Sequence, residues 1–141
     1  MREILFRGKR IDNGEWVYGV PVIGKTSGVF MVWIEAKSKS SRNTLSLRDV
    51  VRQAEVIPET VGPYTGLDDK NDVKIFEGDV VRYLNSIESG NGIVIFEACA
   101  FLFNWIDIDE IDSLLRYFQC SKELEVIGNV HDNPEAMGEM E

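Results

Sequence analysis

The chain has 141 residues, 44% hydrophobic and 28% charged, which fits one globular domain and excludes disorder of the whole chain. Its net charge of −9 is unevenly laid out: residues 1–60 carry ten Lys/Arg against seven Asp/Glu, residues 61–141 five against seventeen. An acidic chain repels phosphate backbones, so bulk nucleic-acid binding is disfavoured, while a weakly basic half and a strongly acidic half permit attraction between copies.

The N-terminus enters alternating sequence at once, with no apolar export segment. No apolar run in the chain approaches the ~20 residues that span a bilayer. Two cysteines, Cys99 and Cys120, are too few for a disulfide framework. These features point to a cytoplasmic protein with free thiols.

Residues 3–11 read as a first strand. Asp12-Asn13-Gly14 is a turn signal, because Asn and Gly tolerate positive φ. Residues 15–23 alternate, with Trp16, Tyr18, Val20 and Val22 on one face, completing a β-hairpin. Pro21 cannot donate to a ladder, so this strand is expected at an edge or with a bulge. Gly24 to Gly28 turns the chain into a strand over Val29–Ala36 that is apolar on both faces. Strands read this way when covered on both sides, and in a chain this short the second cover is expected to be another subunit.

Residues 37–44 are polar and basic and read as a surface loop. Residues 46–53 fit a short helix or a strand running into Ala54–Ile57. Pro58 to Lys74 is rich in turn residues. Val80–Leu84 reads as a strand, 85–91 as a Ser/Gly-rich loop, and Gly92–Cys99 and Phe101–Ile106 as two more strands. Asp109 as N-cap, with Ile111, Leu114, Leu115 and Phe118 at i, i+3, i+4 and i+7, predicts an amphipathic helix near residues 110–119. A last strand over Leu124–Val130 precedes an acidic tail, residues 135–141, expected to fray.

The pattern predicts one mainly β domain over residues 1–134. Its core is a small barrel or sandwich of seven or eight short strands with one helix. Glu77-Gly78-Asp79-Val80-Val81-Arg82-Tyr83, followed after a loop by Gly92-Ile93-Val94-Ile95-Phe96, follows a pattern common in SH3-like small barrels.

Three stretches carry a family resemblance. They are Ile4-Leu5-Phe6-Arg7-Gly8-Lys9-Arg10 with Gly14-Glu15-Trp16-Val17-Tyr18-Gly19; Pro58 to Asn71 running into Ile75-Phe76-Glu77-Gly78-Asp79-Val80-Val81; and Leu124 to Pro134. In order and spanning nearly the whole chain, they resemble the YopX family of phage and prophage proteins. Two departures are Pro63, where the family has Gln, and Asp72, where Gly is usual. The resemblance implies a phage-encoded protein with a β-rich core assembled as a homo-oligomer. It supplies no catalytic residues.

No motif for a cofactor is present, and no catalytic or metal-binding set is assigned. The acidic run Asp107 to Asp112 has carboxylates for a hard cation, but Asp112 stands where a calcium loop needs Gly, and helix capping explains the same residues. Asp68, Asp69, Glu77 and Asp79 raise the alternative of a metal-dependent hydrolase using the acidic half; turn formation is the plainer reading. The basic segment Lys37–Arg42, with Arg7, Lys9 and Arg10, raises the alternative of a nucleic-acid-associated barrel. His131 is the one histidine and lacks triad partners in sequence. Trp16, Tyr18, Phe30 and Trp33 crowd two adjacent strands, where aromatics mark either core or interface. With Tyr64, Asp69, Glu77 and Asp79 they form the candidate interaction surface. The resulting expectation is an accessory protein that self-associates and binds a host or phage protein.

Overall fold

A computed structural model describes residues 3–35, 50–84, 89–97, 100–105, 111–113 and 123–133. It contains eleven strands and one 3₁₀ turn among them. The chain falls into two compact units, Ile4–Val61 and Gly62–Glu141 with Met1–Glu3.

The first unit is a meander of β1 (Phe6–Lys9), β2 (Trp16–Ile23), β3 (Val29–Glu35) and β4 (Val50–Val56), followed by a 3₁₀ turn at Pro58–Thr60. All its pairings are antiparallel. The expected turn joins β1 to β2. Gly14 takes φ +73°, its N–H donates to the Arg10 carbonyl at 3.1 Å, and the Asn13 side-chain oxygen accepts from Glu15 N–H at 2.9 Å. A residue free to adopt positive φ is what this reversal requires.

β2 serves two neighbours in succession. Residues 16–19 pair with β1, and residues 20–23 pair with β3. Gly19 sits at the changeover, where an added Cβ would lie 2.2 Å from the Val32 carbonyl oxygen. Only glycine lets the two backbones come this close. Pro21 faces Met31 on β3 at a position whose missing N–H points to the β1 side, beyond the last β1 pair at Phe6 and Gly19. The proline is therefore accommodated at a local edge, although β2 as a whole is an inner strand of the four.

The ambiguous segment 46–53 resolves, where it is described, as strand: Val50 begins β4. The end of β4 returns to the end of β1 through an Arg10–Val56 bridge. Ile11 N–H donates to the Glu55 carbonyl at 3.1 Å and Ile57 N–H to the Lys9 carbonyl at 2.9 Å. Thr60 secures the junction, its hydroxyl accepting from Lys9 N–H at 2.9 Å and donating to the Ile57 carbonyl at 2.6 Å.

The second unit contains β5 (Gly62–Asp68), β6 (Lys74–Phe76), β7 (Asp79–Leu84), β8 (Ser89–Glu97), β9 (Ala100–Trp105), β10 (Ile111–Ser113) and β11 (Leu124–Asn129). β5 and β6 form a hairpin whose register shifts between Tyr64 and Asp68, with Gly66 at φ +92°. The other five form an antiparallel sheet in the order β10-β9-β8-β7-β11. Its core holds Leu67, Ile75, Val81, Tyr83, Val94, Phe103, Trp105 and Leu124. Trp105 packs edge-on against both Phe103 and Tyr83, at ring separations of 4.9 and 6.1 Å.

Three expectations need correction here. β5 runs through a stretch read as rich in turn residues and given no strand, because Pro63 stands near its start and Gly66 occupies its bulge, positions where a strand tolerates both. β8 begins at Ser89 rather than after Asn91: the Trp105 and Phe103 rings fill the space over Gly90 and Gly92, where added Cβ atoms would meet ring carbons at 2.2 and 2.4 Å. The glycines are strand residues whose side chains are supplied from the next strand. Residues 111–113, assigned by apolar spacing to a helix near 110–119, pair as strand with β9. Phe103 and Leu102 supply a ladder there, and tertiary pairing overrides local periodicity. The rest of that helix assignment, Asp109 included, lies outside the described residues.

Candidate interaction face

Direct strand partners share a face of the sheet, so the register of β2, β3 and β4 fixes which side chains stand together. Val22, Phe30 and Glu55 form one row, and Val20, Val32 and Gln53 the next. Ile34 and Val51 form a third, with Tyr18 two residues before Val20 on the same side of β2. Seven of these nine side chains are apolar. Tyr18, Val20, Val22, Ile34 and Val51 are each between 48% and 66% exposed; Phe30 and Val32 are half-buried.

The middle of the opposite side of the same strands is buried, while Ile23, Val50, Glu35 and Arg52 at its ends are exposed. Met31 and Val56 are fully buried and Ala54 nearly so. An added Cβ at Gly8 would meet Met31 and Val56 at 3.1 Å. Glu35 and Arg52 also alternate to that side, where they pair at 2.8 Å. The charges of β3 and the middle of β4 thus point away from the apolar rows. β3 is apolar on both faces because Met31 serves the interior while Phe30, Val32 and Ile34 serve an outer face that stays half-buried to exposed.

The four aromatics named from sequence do not act together. Trp16, Tyr18 and Phe30 fall on the outer side by alternation, whereas Trp33 falls on the inner side with Met31. Trp16 is half-buried, with the Arg7 guanidinium over its ring at 4.6 Å. That geometry is a cation–π contact, and Arg7 itself is buried. Val20 and Val22 were visible in the alternation of β2. Ile34 and Val51 carry no local signal, since their place depends on pairing between strands joined by a long connection.

Tyr64, Asp69, Glu77 and Asp79 lie in the second unit and organise its turns. Asp69 is buried, and one carboxylate oxygen accepts from Asn71 and Val73 N–H at 2.8 and 2.9 Å. The other accepts from Val126 N–H at 2.9 Å. One side chain thus closes the 69–73 turn and ties β11 to it. Asp72 takes φ +62° within that turn, the one positive φ outside glycine among the described residues. Asp79 accepts from Phe76 N–H at 2.8 Å, and Gly78 beside it takes φ +91°. Glu77 N–H donates to the Pro63 carbonyl at 3.1 Å. The Tyr64 hydroxyl donates to Asp68. Burial first, and that carboxylate second, push the phenol above its ordinary range.

The stretch Gly128 to Asn133 has a similar structural use. Asn129 Oδ1 accepts from the N–H groups of His131 and Asp132 at 3.0 and 2.9 Å, and Asn133 N–H returns to the Asn129 carbonyl at 2.8 Å. An added Cβ at Gly128 would meet Asn133 Oδ1 at 2.4 Å. Among the described residues, no three His, Cys, Asp or Glu side chains gather as a metal site, and no helix is long and apolar enough to cross a membrane. Residues 107–110, segment Lys37–Arg42, Cys99, Cys120 and the acidic tail lie outside the described residues.

Fold and face together define an antiparallel β protein of two units, one carrying an open apolar sheet face. The YopX protein family matches residues 5–138, and the chain belongs to that family. No curated protein matches it. Among solved structures it is similar to the crystal structure of protein EF1440 from Enterococcus faecalis, at TM-score 0.57 and 19% identity over 100% of both chains. That likeness is one of fold.

Proposed function

We propose that this chain is a phage- or prophage-encoded accessory protein of the bacterial cytoplasm that acts by binding protein, and that it self-associates. The observation carrying this reading is the outer face of β2–β4. Five large apolar side chains there are about half exposed or more, over strands whose other side is buried in its middle. Contiguous apolar surface of this kind is costly to leave in water, and it marks interfaces far more often than isolated exposed residues do. Family membership is consistent with an accessory role. Of the carboxylates named from sequence, Asp68 accepts from the Tyr64 hydroxyl, and Asp69 and Asp79 accept from backbone N–H groups, which suits turn-forming roles.

Sedimentation equilibrium over a micromolar concentration range tests the proposal. The chain is expected to associate, and Val20→Lys, which sets a charge in the middle row, is expected to weaken association at least about tenfold, equivalent to ~1.4 kcal/mol. A chain that stays monomeric throughout would remove the self-association, and normal association by Val20→Lys would remove this face as its site.

A further inference from the structure

Resting on that reading, we infer that the occupant of the β2–β4 face is the same face of a second copy, packed across a two-fold axis that runs along the row Val20–Val32–Gln53. The first reason is area. Tyr18, Val20, Val22, Ile34 and Val51 leave open on the order of 400–500 Å², a patch of the size that marks interfaces on single chains. With a polar rim it approaches the roughly 800 Å² each partner buries in a standard dimer.

The second reason is charge. Within the three rows, Glu55 is the single charged side chain, so two such faces can meet with little repulsion between like charges.

Glu55 also selects the axis. Stacked sheets can be related by a two-fold along the strands or by one across them. An axis along β3 would set Glu55 over Val22 of the partner subunit, on an inner strand, and would bury two unpaired carboxylates. An axis across the strands lays β4 over the partner's β4. Because β4 is the outermost strand of the four, each Glu55 then meets the partner's Val51 at the sheet margin and keeps its access to water. The same operation sets Gln53 against Gln53 of the partner subunit, where two side-chain amides can exchange hydrogen bonds. It sets Val20 and Val32 against their own copies, while the row Val22–Phe30–Glu55 meets Tyr18, Ile34 and Val51.

Single-cysteine proteins test this, each with Cys99→Ser and Cys120→Ser, carrying either Gln53→Cys or Ile34→Cys. A bismaleimide of about 10 Å reach matches the spacing of stacked sheets. Both positions are exposed, and circular dichroism of each variant checks folding. Under the proposed axis Gln53→Cys faces itself and crosslinks as the dominant product. Ile34→Cys faces the partner's Phe30, four residues away along the strand, and stays at background. Strong crosslinking by Ile34→Cys with background for Gln53→Cys overturns the axis and leaves the proposed self-association intact. Background for both in a protein that sediments as a dimer overturns the face-to-face contact. A monomer in sedimentation overturns the inference together with the reading beneath it.

Discussion

The two units handle their apolar side chains in opposite ways. Gly62 onward surrounds Phe103, Trp105, Tyr83 and Leu124 with β5, β6 and β11, and among its described residues only Val73, Phe96 and Ile127 are large, apolar and exposed. Among its described residues Ile4–Val61 buries Met31, Ala54 and Val56 and exposes ten large apolar residues, among them Tyr18, Val20, Val22, Ile34 and Val51. The difference assigns separate tasks. The second unit is stabilised by its own aromatic core, each large side chain contributing about 1.5–3 kcal/mol by burial. The first unit holds a sheet whose remaining apolar face becomes useful only when something covers it.

That contrast can be broken most forcefully at Phe103. Phe103→Ala removes a fully buried ring that also covers Gly92, and it is expected to lower the unfolding free energy by about 3–5 kcal/mol in denaturant titrations. A loss below ~1 kcal/mol would mean that the aromatic core is not the principal support of its unit. Next is Asp69→Ala, which leaves three backbone N–H groups without their acceptor. The expected loss is ~2–3 kcal/mol, since stranded buried donors cost about 1–3 kcal/mol each and are not additive. If binding of a partner were affected while stability stayed unchanged, Asp69 would belong to a working surface rather than to the turn.

The smallest effect is expected at Asp72. At φ +62° a glycine relieves backbone strain, so Asp72→Gly should raise stability by about 0.5 kcal/mol. A decrease on thermal unfolding would show that the Asp72 side chain contributes more than its backbone geometry costs.

Much of this was legible in the residues. The β1–β2 hairpin follows from Asp12-Asn13-Gly14 between alternating strands. The two-sided apolar character of Val29 to Ile34 reads as a strand covered on both sides, and the structure supplies one of those covers, over Met31. Turn roles for Asp69 and Asp79 follow from their neighbours. Other features depend on the folded state. Gly90 reads as loop because the Trp105 ring that fills the space over it comes from β9. Pro63 and Gly66 read as turn because a bulge and a strand start tolerate what a strand interior does not. Ile111 to Ser113 read as helix because periodicity is local, whereas the ladder offered by β9 is not. The face itself needed the register of β3 against β4, across a connection that carries no pairing signal.

Hydrogen exchange at two protein concentrations tests the central claim most directly. If the β2–β4 face is covered by another copy, amides in residues 16–35 and 50–56 gain protection as concentration rises through the association range, while those in residues 79–84 and 89–97 do not change. Exchange in 16–35 and 50–56 that is independent of concentration in a protein shown to associate would contradict the claim.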